Sequence, residues 1–364
     1  MKKNVLIDCS TIRAGGGIQV SISFLKKLID KKIAKNFSLY ISRELSLACN
    51  QQKVKVSNFK EVKIRKLYYH LSVFINFTWY RKFEIVFCVF GPAYFLVKPK
   101  KLICGFARTQ FFYPTIYWKN YKYNNFYEIL KKKIHLFLFK FADVLIVEAK
   151  HVKKKFLVIT KYKKIIYIVN NCLSDDFLSG KKKININLKK FDFKLLYVGS
   201  NYPHKNLNIL NNSLNYASEI LKKKIGIFFT LSDIDFNKLN NELKEKSINL
   251  GYVEPKKLKN LYSQIDAVIF PSLAESFSIT PIEAMYCMKP LLASNKDFIK
   301  EFCHKIPYYF NPGSSKSIGL AIVKCLKKQN KNINRLIQGK KISNKFTNDD
   351  LRTSTYLKII NDFI

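Results

Sequence analysis

Short apolar runs alternate with longer amphipathic stretches through most of this chain, and this alternation restricts the fold more than any other feature. Each run has the length of a buried strand. The stretches between them place apolar residues at helical spacing, as Ile18, Ile22 and Leu25 do. The repeated order strand, helix, strand is typical of parallel sheets whose strands are joined by helices. We therefore predict an α/β fold of doubly wound parallel sheets.

Two such series can be separated. The first contains the strand candidates Val5–Ile7, Ile85–Phe90, Leu102–Phe106 and Val144–Val147, and the second contains Leu195–Val198, Ile227–Thr230, Ala267–Phe270 and Leu291–Ala293. The stretch SGKKKININLKK between them is typical of a surface linker. Because 364 residues suffice for two domains of ~100 to 200 residues each, we predict one domain in residues 1–180 and a second from residue 181. Ligands bind beyond the carboxyl ends of such strands, so we expect an active site in a cleft between the domains.

The net charge of +40 indicates an anionic partner. Nucleic acid, the cytoplasmic face of a membrane and a phosphorylated substrate all fit such a surface. A coding sequence rich in A and T, which accumulates Lys, Ile, Asn and Phe, would explain the same composition without any partner. The lysine runs lie at residues 131–133, 153–155, 181–183 and 222–224.

Two segments, residues 66–79 and 111–141, interleave lysine with Tyr, Phe and Trp. Within the second, KKKIHLFLFKF has enough apolar bulk beside its positive charge to lie in a membrane interface. An ordinary helix that packs on the sheet and keeps its lysines in solvent would have the same composition. Both interpretations stay open at this point.

The eight cysteines lack C-x-x-C pairs and indicate neither a disulfide framework nor a zinc site. The first residues, MKKNVLIDCS, reach Asp8 after too few apolar residues for a signal peptide. The sequence has no uncharged apolar stretch of ~18 residues. We therefore expect a protein of the reducing cytoplasm.

The segment from Ile265 to Asn295 has the order strand, loop, helix, strand. Thr280 stands before a proline and three residues before Glu283, which is the spacing of a capping box, so we expect a helix to begin here. The amino end of a helix suits a diphosphate, and Glu275 and Glu283 could then accept hydrogen bonds from a nucleotide sugar. Alternatively, Glu283 only closes the capping box and Glu275 is a solvated loop acid.

A second loop, YVGSNYPHKNLNIL, follows the strand that ends at Val198. Gly199 permits a tight turn, and we expect Lys205 in the first turn of the next helix, where it would bind a diphosphate. One more surface lysine is the alternative. Ser200 and His204 are weaker candidates in the same loop.

Three glycines, Gly15, Gly16 and Gly17, form a predicted loop between the first strand and the first helix. Glycine lets a ligand approach the backbone closely. The spacing matches neither a dinucleotide fingerprint nor a Walker motif. The chain also has no evident metal-ligand cluster and no nucleic-acid motif of fixed spacing.

These segments together resemble the family 4 retaining glycosyltransferases (glycosyl transferases group 1), which have the GT-B fold of two Rossmann-like domains facing across a cleft. Glu275 and Glu283 match the E-x7-E signature of that family, with Pro271-Ser272 before it and Ala284-Met285 after it. Further landmarks in the family's order are the glycine loop, ADVLIVEAKHVKKKF from Ala142, Asn170-Asn171, YVGSNYPHKNL from Tyr197, GYV at Gly251 and YYFNPGS from Tyr308.

The resemblance implies roles for individual residues. It implies that Glu283 binds the donor ribose, that Glu275 lies by the transferred sugar and that Lys205 binds the diphosphate. Backbone of the loop Ser278-Ile279-Thr280 would meet donor sugar and phosphate. It also implies that the second domain, residues 181–345, binds the donor, that the first is on the acceptor side, and that residues 346–364 form a helix returning to the first domain.

Some residues depart from the family's pattern. Ser200 stands where the family usually has an arginine, so the diphosphate would lose a cationic contact. Ser276 and Ser278 replace the usual glycines. The histidine that usually meets the 6-hydroxyl of the donor has no counterpart, since Ala107 or Arg108 falls near its place, and a 6-deoxy sugar donor would follow.

The resemblance implies retaining transfer of a sugar from a nucleotide-sugar donor, with no cofactor and no metal. A lipid-linked saccharide acceptor at the inner face of the cytoplasmic membrane would account for the basic and aromatic segments, as in assembly of lipopolysaccharide O-antigen or capsule. An epimerase or hydrolase of the same fold is the alternative among enzymes. A basic nucleic-acid-binding protein is favoured by charge alone.

Overall fold

The computed structural model describes residues 4–13, 15–56, 59–62, 80–95, 97–113, 126–328 and 332–363. These residues form two compact units. The first is built from residues up to 112, from 126–171 and from 349–363, and the second from 172–348 together with Tyr113. The predicted lysine-aromatic segment at residues 66–79 lies outside the described residues, as do residues 114–125 of the second such segment.

The first unit has one parallel sheet in the order β3-β2-β1-β4-β5-β6-β7. Its strands are β1 Val5–Cys9, β2 Ser38–Ser42, β3 Lys60–Val62, β4 Ile85–Cys88, β5 Lys101–Phe106, β6 Val144–Val147 and β7 Ile165–Ile168. Its helices are α1 Gly16–Asp30, α2 Arg43–Gln51, α3 Phe126–Lys140, α4 Lys150–Thr160 and, much later in the chain, the helix Asp349–Asn361. Parallel pairing follows because a helix connects most successive strands.

Helices cover both faces of this sheet. On one face, Ile7, Phe24 and Leu45 belong to a core that also includes Tyr356 of the helix Asp349–Asn361, whose ring meets Phe24 edge-on at 5.4 Å between centroids. On the other face, Phe106 packs against Phe139 of α3 at 4.8 Å and Phe156 of α4 at 5.0 Å. Aromatic burial on both faces therefore stabilises the unit.

The second unit has a parallel sheet in the order β10-β9-β8-β11-β12-β13. Its strands are β8 Phe193–Tyr197, β9 Ile225–Phe229, β10 Ser247–Asn249, β11 Ala267–Phe270, β12 Leu291–Ser294 and β13 Tyr308–Phe310. Its helices, numbered onward along the chain, are α5 Asp175–Leu178, α6 Leu210–Leu221, α7 Asp233–Asn237, α8 Asn241–Glu245, α9 Pro255–Gln264, α10 Ile279–Tyr286, α11 Asp297–Cys303, α12 Ser315–Lys327 and α13 Ile333–Ser343; the helix Asp349–Asn361 of the first unit is α14. The prediction of doubly wound parallel sheets is confirmed.

The predicted linker at residues 179–190 forms no helix or strand, and it is held by the second unit. Ile184 donates its N–H to Asn260 Oδ1 at 2.9 Å, and its carbonyl accepts from Gln264 Nε2 at 2.8 Å. Lys182 lies 3.1 Å from the Glu254 carboxylate. This stretch is therefore an edge of the second unit.

Within the described ranges, no helix is both long enough and apolar enough to cross a membrane.

Candidate functional site

The site lies at the carboxyl edge of the second sheet, where the loops after β8 and β11 meet because these two strands are paired. Lys205 Nζ, from the first loop, lies 2.6 Å from Glu275 Oε1, from the second. Both side chains are largely buried, with 14% and 10% of their surface exposed. Residues 70 positions apart thus form an ion pair that is largely buried.

A tight turn, and not a helix, holds Lys205 in place. Pro203–Lys205 is one 3₁₀ turn, and Asn206 after it has a left-handed φ of 58°. The Asn206 side chain donates to the Pro312 carbonyl at 2.8 Å, and the His204 carbonyl accepts from Leu273 N–H at 2.7 Å. The expectation that Lys205 occupies the first turn of the next helix is wrong, because that helix, α6, begins at Leu210.

His204 is a neutral neighbour of this ion pair. Its Nε2 lies 4.0 Å from Glu275 Oε1, and its ring stacks on Tyr202 at 5.7 Å between centroids. Burial, with a smaller effect from Lys205, lowers the pKa of His204 to about 4. His204 is therefore uncharged at neutral pH, whereas Lys205 forms an ion pair with Glu275.

Helix α10 begins at Ile279, after Ser278 in extended conformation, so its first N–H groups face the loop that carries Glu275. The predicted capping box is absent. Thr280 lies inside the helix, and its hydroxyl donates to the Val198 carbonyl at the end of β8 at 3.3 Å. Ile279 and Thr280 are therefore helical residues, and the Thr280 hydroxyl ties the start of α10 to the end of β8.

Glu283 is a buried acid on α10. It accepts a hydrogen bond from the Tyr262 hydroxyl of α9 at 2.8 Å, and burial raises its pKa to about 7. The alternative prediction, that Glu283 only closes a capping box, is thus wrong. The partner hydroxyl was missed from the sequence, although Tyr262 stands with Leu258 and Leu261 on the apolar face of α9.

Gly199 and Ser200 form the turn after β8. Gly199 has a φ of 146°, and a Cβ there would lie 3.0 Å from the Tyr197 hydroxyl, so only glycine fits without strain. The Gly199 N–H donates to Thr230 Oγ1 at 3.3 Å, and the Ser200 carbonyl accepts from the Tyr197 hydroxyl at 2.9 Å. These bonds fix the backbone that leads to Lys205.

Tyr113 is a further residue near this cluster that the sequence did not reveal. Its hydroxyl donates to Asp297 Oδ1 of α11 at 3.0 Å, and its ring meets Phe298 at 6.1 Å. Burial, then the charges of Asp297 and Glu275, raise its pKa well above the ordinary value. Tyr113 was missed because it follows a strand of the first series, while its partners belong to the second.

The remaining candidates lie in the first unit. Gly15 has a φ of 68° and precedes α1, whereas Gly16 and Gly17 are the first residues of the helix; the prediction of a loop through all three is wrong. A Cβ on Gly16 would meet no atom within 4 Å, which leaves open space at the start of α1. Arg108 follows β5, and its carbonyl accepts from Phe111 N–H at 3.2 Å. Both places are at the carboxyl edge of the first sheet.

Metal ligands do not cluster in the described part of the chain: nowhere in it do three or more His, Cys, Asp or Glu side chains come together as a metal site would require.

The two helix-covered parallel sheets have the architecture of the GT-B fold. The family model described as Glycosyl transferases group 1 matches residues 180–342. The chain is 33% identical over 161 residues to the O-antigen chain mannosyltransferase RfbU of Salmonella typhimurium. The aligned region covers 44% of this chain and 43% of that protein. The chain thus spans less than half the length of this curated relative.

Solved structures of the same fold align over nearly the whole chain. They include a glycosyltransferase from Rickettsia africae (TM-score 0.67, 14% identity, 100% of this chain and 99% of that one). Anabaena HepE in complex with UDP and glucose aligns with a TM-score of 0.68 and 14% identity over 99% of both chains. Sucrose-phosphate synthase from Thermosynechococcus elongatus gives a TM-score of 0.68 and 14% identity, over 100% of this chain and 99% of that one. The likeness shows that this chain has the GT-B fold.

Proposed function

We propose that this protein is a retaining glycosyltransferase that moves a sugar from a nucleotide-sugar donor to a lipid-linked saccharide acceptor in the assembly of a bacterial surface polysaccharide. One observation carries the proposal: the Lys205–Glu275 ion pair at 2.6 Å, beside the amino end of α10. It lies within the segment that the family model matches.

The ion pair and the helix end are suited to a leaving diphosphate. As the bond between the anomeric carbon and the diphosphate oxygen breaks, negative charge builds on that oxygen, and a lysine with helix N–H groups stabilises it. The acceptor hydroxyl attacks the anomeric carbon from the same face, and its proton passes to the departing phosphate oxygen. Products are the glycosylated acceptor and a nucleoside diphosphate.

Glu275 has two roles in this scheme. Before the donor binds, its carboxylate holds the Lys205 ammonium at the edge of the sheet and offsets the cost of burying that charge. When the diphosphate takes Lys205 as its partner, the carboxylate can accept hydrogen bonds from hydroxyls of the transferred sugar. Exchange of partners therefore couples diphosphate binding to sugar binding.

Glu283 is proposed to hold the ribose of the donor. The Tyr262 hydroxyl binds one carboxylate oxygen, Oε2, and leaves the other oxygen for a ribose hydroxyl. A charged acceptor binds hydroxyls more strongly than a neutral one. Because the pKa of Glu283 is about 7, donor affinity should rise as the pH rises through neutrality.

The acceptor and the pathway rest on the relative rather than on the geometry. The name of the Salmonella protein states transfer of mannose to an O-antigen chain. The HepE structure shows that a protein of this fold holds UDP and glucose. We propose a hexose donor and an acceptor of the O-antigen or capsule type, presented on a lipid at the inner face of the cytoplasmic membrane.

The test begins with a thermal-shift screen of nucleoside diphosphate sugars that carry mannose, glucose, galactose or a 6-deoxy hexose. A donor at 100 times its Kd should stabilise the protein by about 2.7 kcal/mol. Labelled donor is then incubated with and without a bacterial lipid extract. The proposal predicts label in the lipid fraction and retention of the anomeric configuration by NMR. Free sugar or epimerised donor in both incubations would show a hydrolase or an epimerase instead.

A further inference from the structure

Exposed apolar side chains are concentrated in one part of the first unit. Among the described residues, eleven of the twenty large apolar side chains that are at least about a third exposed lie between residues 97 and 168. Soluble proteins rarely expose such residues together, and a contiguous apolar patch marks an interaction site. The eleven are Val97, Ile129, Leu130, Ile134, Phe137, Phe141, Leu157, Val158, Ile159, Ile165 and Ile168.

Helix α3 presents apolar residues on two faces. His135 and Phe139 are buried against the sheet. Leu130, Ile134 and Phe137 recur at intervals of four and three residues, so they share another face, and they are 44%, 47% and 59% exposed. A helix that only packed on the sheet would carry polar residues there. The outer apolar face therefore requires a separate explanation.

The segments that follow α3 and α4 are in contact with each other. The carbonyl of Ala142, just after α3, accepts from the Tyr162 hydroxyl at 2.9 Å and from Lys164 Nζ at 3.0 Å, both just after α4. Phe141 contacts Phe137 at 4.9 Å and Phe95 at 5.9 Å between ring centroids. We call the exposed faces of residues 129–141 and 157–168 the α3–α4 surface.

The α3–α4 surface is also strongly basic. Residues 129–168 contain eleven lysines and two acidic residues. Asp143 is occupied by Lys98 at 2.5 Å and Lys164 at 3.5 Å, and Glu148 is buried. Lysine lets its apolar stem lie along apolar surface while the ammonium reaches outward. Apolar side chains surrounded by lysine head groups are typical of helices that lie in a membrane interface.

We propose that the α3–α4 surface docks on an anionic lipid bilayer, with Ile134 and Phe137 entering the boundary of the acyl chains and the lysines contacting lipid phosphates. A second copy of this chain would bring lysines against lysines, which costs energy, and nucleic acid offers no apolar phase for the exposed Phe and Ile side chains. This inference rests on the proposed function only for its biological purpose, which is to bring the enzyme to its lipid-linked acceptor.

Vesicle co-sedimentation, without donor or acceptor, tests whether the exposed apolar side chains contribute to membrane binding. The full chain should bind vesicles of phosphatidylglycerol and phosphatidylethanolamine and should bind phosphatidylcholine vesicles at least tenfold more weakly, because each lysine near an anionic surface adds about 1 kcal/mol. I134S/F137S should lower the partition coefficient on the order of tenfold or more, since each buried CH₂ contributes about 0.8 kcal/mol. The control L47S/I333S alters side chains that are 53% and 58% exposed elsewhere and should bind like the parent.

The charge part has its own pair of variants. K133E/K140E reverses two exposed lysines of α3 and should abolish the preference for anionic vesicles. K183E/K223E makes the same charge change on exposed lysines of the second unit and should retain most binding. Equal loss in both pairs would show a diffuse effect of net charge and overturn the proposal.

Three other outcomes would also overturn the docking proposal. They are unchanged vesicle binding by I134S/F137S with an unchanged melting temperature, a parent dimer that this variant dissolves in analytical ultracentrifugation, and displacement of the parent from vesicles by nucleic acid at equal charge. The proposed function is measured separately, as transfer to a water-soluble acceptor fragment. I134S/F137S should keep that transfer, so loss of vesicle binding and failure of catalysis are distinguishable.

Discussion

The carboxyl edges of the two sheets satisfy buried acids in different ways. In the first unit, Asp8 of β1 is bound by the Tyr80 hydroxyl and by the Ser10 N–H at 2.8 Å, and burial raises its pKa. In the second, Glu283 likewise has a tyrosine partner, but Glu275 is held by a lysine ammonium. Hydroxyl and amide partners are fixed by the fold, whereas a phosphate can replace a carboxylate as the partner of a lysine. The Lys205–Glu275 pair of the second unit can thus exchange partners, whereas the partners of Asp8 in the first unit cannot.

Removing the exchangeable cation should have the largest effect. K205M should lower kcat for sugar transfer by about 10² to 10³, because one charged group that stabilises the leaving diphosphate is lost. K223M, at an exposed lysine of the same unit, should transfer like the parent. Steady-state kinetics with the donor found in the thermal-shift screen gives both values.

Loss of Lys205 also leaves Glu275 buried without its cation, so a second variant is needed. K205M/E275Q removes both charges and should recover the melting temperature of the parent while transfer stays low. Recovery of transfer in K205M/E275Q would mean that Lys205 serves only to neutralise Glu275.

Substitution of Glu283 and of Asp8 should change the pH dependence of stability in the same way, but only substitution of Glu283 should change donor binding. Glu283 binds protons more tightly folded, with a pKa of about 7, than unfolded, with an ordinary value of 4.5. Its protonated form is therefore favoured by folding, and the free energy of unfolding falls as pH rises from about 4.5 to about 7. E283Q should flatten this fall, by up to about 3 kcal/mol. Urea unfolding at several pH values measures the change.

D8N should flatten the pH dependence of stability in the same direction, because the pKa of Asp8 is also raised. Only E283Q should weaken donor binding, by about tenfold, since a hydrogen bond to a charged acceptor contributes about 1.5 to 3 kcal/mol. Isothermal titration with donor compares the two. Equal donor affinity of E283Q and the parent would contradict a ribose-binding Glu283.

One glycine from each unit makes the next comparison. G199A places a Cβ 3.0 Å from the Tyr197 hydroxyl at a φ of 146° and should destabilise the protein by about 1 to 3 kcal/mol. G16A, at the start of α1 in open space, should be neutral or stabilising by up to about 1 kcal/mol. The melting temperatures of the two variants measure these effects. An equal loss of stability in G199A and G16A would contradict the claim that a Cβ does not fit at Gly199.

The smallest expected effect is that of Y113F. The variant loses one hydrogen bond to Asp297, so the free energy of unfolding should fall by about 1 kcal/mol. F112Y, one residue earlier, adds a hydroxyl without removing that bond and serves as the comparison. An unchanged denaturation midpoint in Y113F would mean that water replaces the phenol without loss.

The sequence predicted central strands far better than edge strands. The candidates Val144–Val147 and Ala267–Phe270 coincide with β6 and β11, which have neighbours on both sides and are wholly buried. All four edge strands, β3, β7, β10 and β13, were missed, together with β2. Edge strands are short or partly exposed, as Ile165 of β7 shows with 49% exposure, so their apolar pattern is weak.

Pairs of residues in the site were predictable only where a motif joined them. Glu275 and Lys205 could be proposed from local sequence, but their contact could not, since it depends on which strands pair. The capping rule failed for Thr280 and Glu283 because their tertiary hydrogen bonds outweigh a local one. Thr280 bonds the Val198 carbonyl, and Glu283 bonds the Tyr262 hydroxyl. Tyr113 was invisible for the same reason, because its partners are 184 and 185 residues further along.

The position of α14 has a consequence for biosynthesis. Its Tyr356 completes the aromatic cluster with Phe24 and Phe87, yet the ribosome makes it after the whole of residues 172–348. The second unit is thus an insertion in the sequence of the first. The core of the first unit can therefore be completed only after α14 has been synthesised. Residues 1–171, although made first, complete their folding after residues 172–348 have been translated.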